Sequence, residues 1–317
     1  MRLVVTGGAG FIGSTFVDLV LQDTSGIVES VLVLDKITYA GSREHLIDAA
    51  KDRRYSFSQV DITDYSTIQS SLRNVTHVVN FAAESHVDQS IIDPRKFIMT
   101  NFVGTHSLLE SCRSNQVTRM LQVSTDEVYG GDASLPWLES AKMDPSSPYS
   151  SSKASAELLT LSYLRTFGLD IVITRGCNTY GRRQHQEKFI PKAIKQALLG
   201  EKIPIYGSGK NVREWMHVDD HARGIWLALT HGATGSVYNI GSEERFNNNE
   251  IAEQILNEVG NSNAGIEYVT DRLGHDFKYA INSSLAYDEL GFNVEHSFSS
   301  ELSDLVEAYA TKFGYKQ

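Results

Sequence analysis

The chain has 317 residues, 41% of them hydrophobic, which is enough for one large α/β unit with a smaller lobe or for two domains sharing a cleft. Its net charge of −10 argues against a nucleic-acid or anionic-membrane surface and leaves room only for a local basic pocket. Two cysteines, Cys112 and Cys177, are too few for a disulfide framework or a metal cluster and read as reduced core thiols of a cytoplasmic protein.

The N-terminus, "MRLVVTGGAGFIG", carries one early basic residue and is broken by glycines after a few apolar residues. It is expected to be neither a signal peptide nor a membrane span, but the first strand and turn of the fold. Short β-branched runs follow in alternation with amphipathic segments. The strands are "RLVVTG", "SVLVLD", "YSFSQVDI", "HVVNFAA", "RMLQVST" and "DIVITRGCN". The helices are expected at Phe11 to about Leu21, Ser42 to Ala50, Tyr65 to Leu72, Arg95 to Ser114 and Tyr149 to Phe167. This rhythm predicts an α/β fold, a doubly wound parallel sheet of Rossmann type. After Asn178 the rhythm becomes irregular and polar, and "SVYNIGS" reads as a return to the sheet. The expected division is therefore interleaved: residues 1–178 plus about 217–242 form a dinucleotide-binding domain, and 179–216 plus 243–317 form a smaller α/β substrate lobe.

The first strand runs into glycines at 7, 10 and 13 and then into a helix. Gly7 suits the tight turn, Gly10 lets a pyrophosphate approach the backbone, and Gly13 lets helix and sheet pack closely, with the helix amides of Phe11 and Ile12 near the phosphates. Asp35 ends the second strand about 20 residues later, where a carboxylate accepts from ribose hydroxyls and repels a 2′-phosphate. NAD is thus preferred over NADP, with the neighbouring Lys36 as the one counterargument. Asp61, ending the third strand, is either an adenine-side contact or a plain strand-terminating cap.

"STDEVYGG" raises a separate question, because Asp126 and Glu127 stand side by side where a strand ends. On a continuing strand they would face opposite sides of the sheet, so only a strand that stops can aim both at one pocket. Downstream, "YSSSK" places Tyr149 and Lys153 at i, i+4 on one helical face, where an ammonium can lower a phenol's pKa and help it exchange a proton with a carbinol.

These residues carry a resemblance to the extended short-chain dehydrogenase/reductases, and within them to the nucleotide-sugar 4,6-dehydratases. It runs through "TGGAGFIG", "LDKITYAG", "FAAESHVDQS", "STDEVYG", "SPYSSSKASAE", "NVREWMHVDDH" and "DRLGHDFKYAIN". The Asp-Glu pair is its specific part. The resemblance implies an NAD-dependent lyase acting on a nucleoside-diphosphate glucose, with the thymidine sugar expected ahead of the uridine sugar. Tyr149 would be the base for C4 oxidation with Lys153 supporting it, Glu127 would remove the C5 proton, Asp126 would protonate the leaving C6 oxygen, and Thr125 would bond near O4. Asp126 must then stay protonated at neutral pH, which crowding by Glu127 and desolvation both favour.

The resemblance also implies cofactor contacts at Thr38, Ile62, Ala82 and Ala83, and substrate contacts at Ser85, His86, Asp88, Asn178, Glu187, Lys188, Arg213, Asn248, Arg272 and His275. Arg213 and Arg272 suit phosphates because guanidinium groups hold them in bidentate geometry, with ion pairs as the alternative. His86 could equally be a structural histidine. It further implies a homodimer packed through the helices near 95–114 and 149–167, while the acidic charge leaves neither nucleic acid nor membrane as an expected partner. The chain departs from the family pattern at Gln89, Thr179, Arg182 and Ser208. A UDP-sugar 4-epimerase or decarboxylase would need the same NAD site and Tyr-Lys pair but not both acids, and a silent NAD-binding protein would need neither.

Overall fold

The protein is described here by a computed structural model covering residues 1–131 and 134–315. Strands β1 (Arg2–Thr6), β2 (Ser30–Asp35), β3 (Tyr55–Gln59), β4 (His77–Asn80), β5 (Arg119–Thr125) and β6 (Ile171–Gly176) follow the predicted order. Beyond them come β7 (Asn178–Tyr180), β8 (Lys202–Tyr206), β9 (Val212–His217), β10 (Val237–Ile240), β11 (Arg245–Asn247) and β12 (Gly265–Val269). Seven of these form one sheet in the order β10-β6-β5-β4-β1-β2-β3, every pair parallel. Strands covered on both faces need continuous apolar runs, and β6 is buried along its whole length. One apolar cluster packs around Phe16, Val33 and Ile225, a second around Val4, Leu108 and Ile171.

The order reverses between β1 and β4, and a doubly wound sheet opens a crevice at the carboxyl ends of the strands flanking such a point. Above that edge a second unit is built around Tyr180, Ile194, Trp215, Ile255 and Phe298, with a three-stranded sheet β11-β9-β7 and the pair β12-β8. "SVYNIGS" does return to the large sheet, as β10 beside β6.

Several elements differ from expectation for identifiable reasons. Ser42 to Ala50 is not one helix but two 3₁₀ turns, Arg43–Leu46 and Ala49–Lys51. Its buried residues, Leu46 and Ala49, are three apart, the spacing a 3₁₀ turn aligns on one face. "DIVITRGCN" is not one strand: the chain leaves the large sheet after Gly176, and Asn178–Tyr180 pairs with β9 instead. "YSFSQVDI" and "HVVNFAA" stop pairing at Gln59 and Asn80, which frees their last residues to line the crevice.

The segment expected as a helix from Arg95 to Ser114 begins at Pro94 and is wound as π-helix over Ile98–Gly104. Asn101 within that turn accepts from the Glu84 amide at 2.8 Å and donates to the Glu84 carbonyl and to Ser152 Oγ. The widened turn thus ties this rod to the loop after β4 and to the helix Pro148–Phe167, whose N-terminus is closed by a Ser147–Ser150 capping box. Among the described residues no helix is long and apolar enough to cross a membrane.

Candidate active site

β1 delivers the chain into a turn whose geometry only glycine tolerates. Gly7 has φ +69°, and a Cβ there would lie 2.6 Å from the Ala82 amide nitrogen; one on Gly13 would run into the Gly7 carbonyl. The helix Phe11–Gln22 starts at Gly10 with no side-chain cap and no acid in its first turn, so its amides face the crevice unsatisfied. This is the donor set that suits a pyrophosphate.

Asp35 accepts from the Ala9 amide at 2.9 Å and the Ile37 amide at 2.7 Å, and burial, opposed by those bonds, raises its carboxyl above the usual range. Lys36 does not stand free to receive a 2′-phosphate: its Nζ is 2.6 Å from Asp61 Oδ2. Asp61 also accepts from the Thr63 amide at 3.0 Å, a turn within the loop, whereas the strand ends at Gln59 and Asp64 caps the helix Tyr65–Ser71, so the strand-terminating cap weighed for Asp61 is not what the structure shows. Gly7, Gly10, Phe11, Ile12, Gly13, Asp35, Lys36, Thr38, Asp61, Ile62, Ala82, Ala83, Tyr149 and Lys153 all border one cavity of about 320 Å³.

At its inner end lies the acid pair. Thr125 is the last residue of β5, and its Oγ1 accepts from the Glu127 amide at 3.3 Å, which starts a 3₁₀ turn over Asp126–Tyr129. The strand stops, and both acids reach the cavity lining. Their surroundings differ. Asp126 is 2% exposed, its Oδ1 receives the Thr125 hydroxyl at 3.3 Å, and its Oδ2 has no partner among the described residues. Burial first, then Glu127 and Glu214, push its pKa well above the ordinary carboxylate value. Glu127 is half-buried; burial raises its carboxyl too, but Arg272, Arg213 and Lys188 pull the other way.

The Tyr149–Lys153 pair shares a face as its spacing required, yet its electrostatics differ from expectation. Burial, then Glu127, raises the Tyr149 phenol above its ordinary value, while the Lys153 ammonium donates to the Val123 carbonyl at 2.7 Å. In this dry environment the lysine itself is pushed down to about 8. Desolvation therefore outweighs the lowering that an i, i+4 ammonium was expected to give the phenol.

A second cavity, of about 670 Å³, adjoins the first and shares with it Ser85, Glu127, Asn178, His185 and Lys188. It gathers every residue expected to meet substrate: Ser85, His86, Asp88, Asn178, Glu187, Lys188, Arg213, Asn248, Arg272 and His275. Arg213 is 5% exposed, stacks 4.3 Å over the Tyr279 ring and donates to the carbonyls of Val212 and Asp276. Arg272 stands 3.7 Å from Asp88, with a buried Nε that has no partner among the described residues. Lys188 donates to the Ser85 carbonyl at 2.8 Å. His86 has the structural role weighed for it, its Nδ1 accepting from the Gln89 amide to cap Val87–Ile92, while Nε2 is 3.6 Å from Glu187. Asp271 anchors His275 at 2.6 Å.

Phe189, Tyr206, Trp215 and Tyr279 add aromatic walls and were not among the candidates. The alternation of "VREWMH" puts Trp215 on the same face of β9 as Arg213, a signal that could have found it. Tyr206 and Tyr279 arrive from distant segments with no such mark. Of the four departures only Thr179 borders a cavity; Gln89, Arg182 and Ser208 are exposed and lie outside both linings.

A parallel sheet with a glycine turn, a Tyr-Lys pair and a basic second cavity defines an extended short-chain dehydrogenase/reductase of the kind that handles nucleotide sugars. The sequence matches the family described as GDP-mannose 4,6 dehydratase over residues 4–305, and the chain belongs to that family. It is 45% identical over 313 residues to a dTDP-glucose 4,6-dehydratase of Mycolicibacterium smegmatis, covering 98% of this chain and 93% of that protein. It is 44% identical to the low-salt glycan biosynthesis protein Agl12 of Haloferax volcanii, with 98% of each covered. Among solved structures, DesIV of Streptomyces venezuelae, a dTDP-glucose 4,6-dehydratase crystallised with NAD, superposes with a TM-score of 0.95 at 44% identity, covering 100% of this chain and 99% of that one. A UDP-glucose 4-epimerase of Thermotoga maritima shares the fold at 28% identity, with a TM-score of 0.90, 99% of this chain and all of that one covered.

Proposed function

We propose that this protein dehydrates dTDP-glucose to its 4-keto-6-deoxy product, with NAD in the first cavity and the nucleotide sugar in the second. The observation that carries the reading is the pair of adjacent acids in unlike surroundings at the junction of the two cavities. An epimerase has no use for such a pair. The glycine turn, the uncapped helix amides and Asp35 fit NAD, which when bound would take hydride from C4 and give it back at C6.

The chain's own residues then divide the proton transfers. Tyr149 accepts the C4 hydroxyl proton, for which the positive charges of Lys153 and of bound NAD would have to offset the burial that raises its phenol, and Thr125 bonds near O4. The resulting C4 ketone acidifies the C5 proton, which Glu127 removes; Arg272, Arg213 and Lys188 oppose the rise that burial gives its carboxyl and so favour its basic form. Asp126, kept protonated by burial and by its neighbours, protonates the departing C6 oxygen so that it leaves as water. Arg213, Arg272 and Lys188 bind the diphosphate, Asn178, Asn248, Glu187 and His275 the nucleotide, and Ser85 and His86 the sugar.

We assign residues 1–178 plus about 217–242 to the cofactor domain and the rest to the substrate lobe. A homodimer through the paired rods is supported by exposed Ile98, Met99, Leu158 and Phe167, and a cytoplasmic setting by two free, buried cysteines. The test is a mass spectrum of product formed from dTDP-glucose in deuterated water with trace NAD, UDP-glucose run alongside. Loss of water with one solvent deuterium at C5 is expected, faster from the thymidine sugar. An isomer of unchanged heavy-atom composition would contradict the reading.

A further inference from the structure

Tyr129 closes the 3₁₀ turn that carries Asp126 and Glu127, yet it lies outside both cavity linings. The turn's own holds are long: the Glu127 amide on Thr125 Oγ1 and the Gly130 amide on the Glu127 carbonyl, each at 3.3 Å. From outside, the Asp144 amide donates to the Val128 carbonyl at 3.0 Å. Two adjacent acids on so short a turn need a firmer anchor to keep one geometry.

Tyr129 is that anchor. It is buried, its ring stacks on Trp137 with centroids 6.2 Å apart, and the Arg175 guanidinium stands 4.7 Å from its centre. Arg175 is itself held by the buried Glu157, with Nη2 2.7 Å from Oε2. The Tyr129 hydroxyl accepts from Arg175 Nη1 at 2.7 Å. A guanidinium can only donate, so the phenol's one proton goes to Asn239 Oδ1, 2.8 Å away. Burial pushes the phenol up to about 12, which keeps that proton in place at neutral pH. Asn239 is fully buried on β10, and its Nδ2 donates to the carbonyls of Trp137 at 2.9 Å and Asn282 at 3.1 Å, so the orientation of its amide is set by its partners.

The same amide reaches the substrate side. The Asn282 amide donates to the Trp137 carbonyl, and the Trp137 amide to the Ala280 carbonyl, both at 2.9 Å. The stretch 276–282 that is fastened in this way brings Tyr279 to the second cavity, and its Asp276 carbonyl accepts from Arg213 at 2.9 Å. A substrate gripped at its diphosphate and attacked at C5 and C6 needs a fixed span between grip and acids, since a misplacement of about 1 Å costs about 10²-fold in rate. We propose that Tyr129 is a positioning residue for the elimination: through Asn239 it sets the span from the acid pair to the stretch that holds Arg213, and so places Asp126 and Glu127 against the sugar. The inference rests on the roles assigned above to the two acids and to Arg213.

The test mixes purified protein with NAD and dTDP-glucose and follows the rate of NADH appearance and the rate at which dehydrated sugar forms. Tyr129→Phe keeps the ring and removes the hydroxyl. It should slow dehydration by about 10- to 100-fold and leave NADH appearance within about twofold of wild type, so that reduced cofactor accumulates, because C4 oxidation does not use the acid turn. Asn239→Asp is isosteric, keeps an acceptor for the phenol and loses both donations to the carbonyls of Trp137 and Asn282. It should separate the two rates in the same way, and it carries the test if Tyr129→Phe fails to fold. Tyr238→Phe removes a neighbouring buried hydroxyl, bonded to Glu289, from the same strand. It should lower the melting temperature and leave both rates unchanged. A Tyr129→Phe protein that dehydrates at the wild-type rate, a joint fall of both rates in the first two variants, or the same separation in Tyr238→Phe would overturn the proposal. Wild type forming neither NADH nor dehydrated sugar would instead overturn the function beneath it.

Discussion

The two cavities that meet at Glu127 are built by different means. The cofactor cavity is a product of backbone: a glycine turn, free helix amides and strand ends that stop early, with few side chains beyond Asp35 and the Tyr-Lys pair. The nucleotide-sugar cavity is a product of side chains, its Arg213, Arg272, Lys188 and four aromatic walls drawn from separate segments. Backbone recognition ties function to spacing in a short motif. Side-chain recognition ties it to packing between distant segments, and it leaves room for substrate range to change without disturbing the sheet.

The contrast can be broken most forcefully at the phenol that serves the cofactor side. Tyr149→Phe removes the group that takes the C4 proton, and turnover should fall by about 10²–10⁴-fold with no reduced cofactor formed. Steady-state rates together with NADH absorbance read both. On the other side, Arg272→Ala should raise KM for the nucleotide sugar by about 10- to 100-fold, the worth of a charged hydrogen bond, with kcat little changed. Titrating initial rates against substrate separates the two parameters, and a fall in kcat alone would place Arg272 in the chemistry rather than in binding.

A smaller effect tests the junction itself. Asp126 has a folded pKa above its unfolded one, so the folded state binds the extra proton and stability declines as pH rises from the ordinary carboxylate value through the raised one. Asp126→Asn should therefore gain stability relative to wild type as pH rises above the ordinary carboxylate range, with the gain vanishing below about pH 4. Urea melts at the two ends of that range measure it. Smallest of all, Lys36→Ala should cost under about 1 kcal/mol and leave NAD preferred over NADP, because the half-exposed lysine is already paired with Asp61. A gain of NADP use would show that Asp35 does not exclude the 2′-phosphate.

The same contrast explains what could be read from sequence. The large sheet was legible because strands buried on both faces must be β-branched runs, and the cofactor end because only glycine fits at 7 and 13. The acids were legible because two adjacent carboxylates at a strand end have few structural uses. The break between β6 and β7 was not, since a single glycine in "TRGCNTY" does not by itself mark a change of sheet, and the switch is imposed by pairing with β9. Nor was the π-helical turn at Ile98–Gly104, whose cause is the Asn101 side chain bridging Glu84 and Ser152. The i, i+4 spacing placed Tyr149 and Lys153 together but could not reveal how dry their surroundings are. That dryness sets the direction in which both titrate.

The central claim is that Asp126 and Glu127 act as acid and base in one elimination, and trapping that step in deuterated water tests it most directly. Asp126→Asn and Glu127→Gln, each mixed with dTDP-glucose and NAD, are followed by NADH absorbance and by mass spectra of the sugar. Both variants should build up reduced cofactor, and only Asp126→Asn, with its base intact, should exchange deuterium into C5 without losing water. Exchange in Glu127→Gln and none in Asp126→Asn would reverse the roles, and wild-type turnover in both would contradict the account.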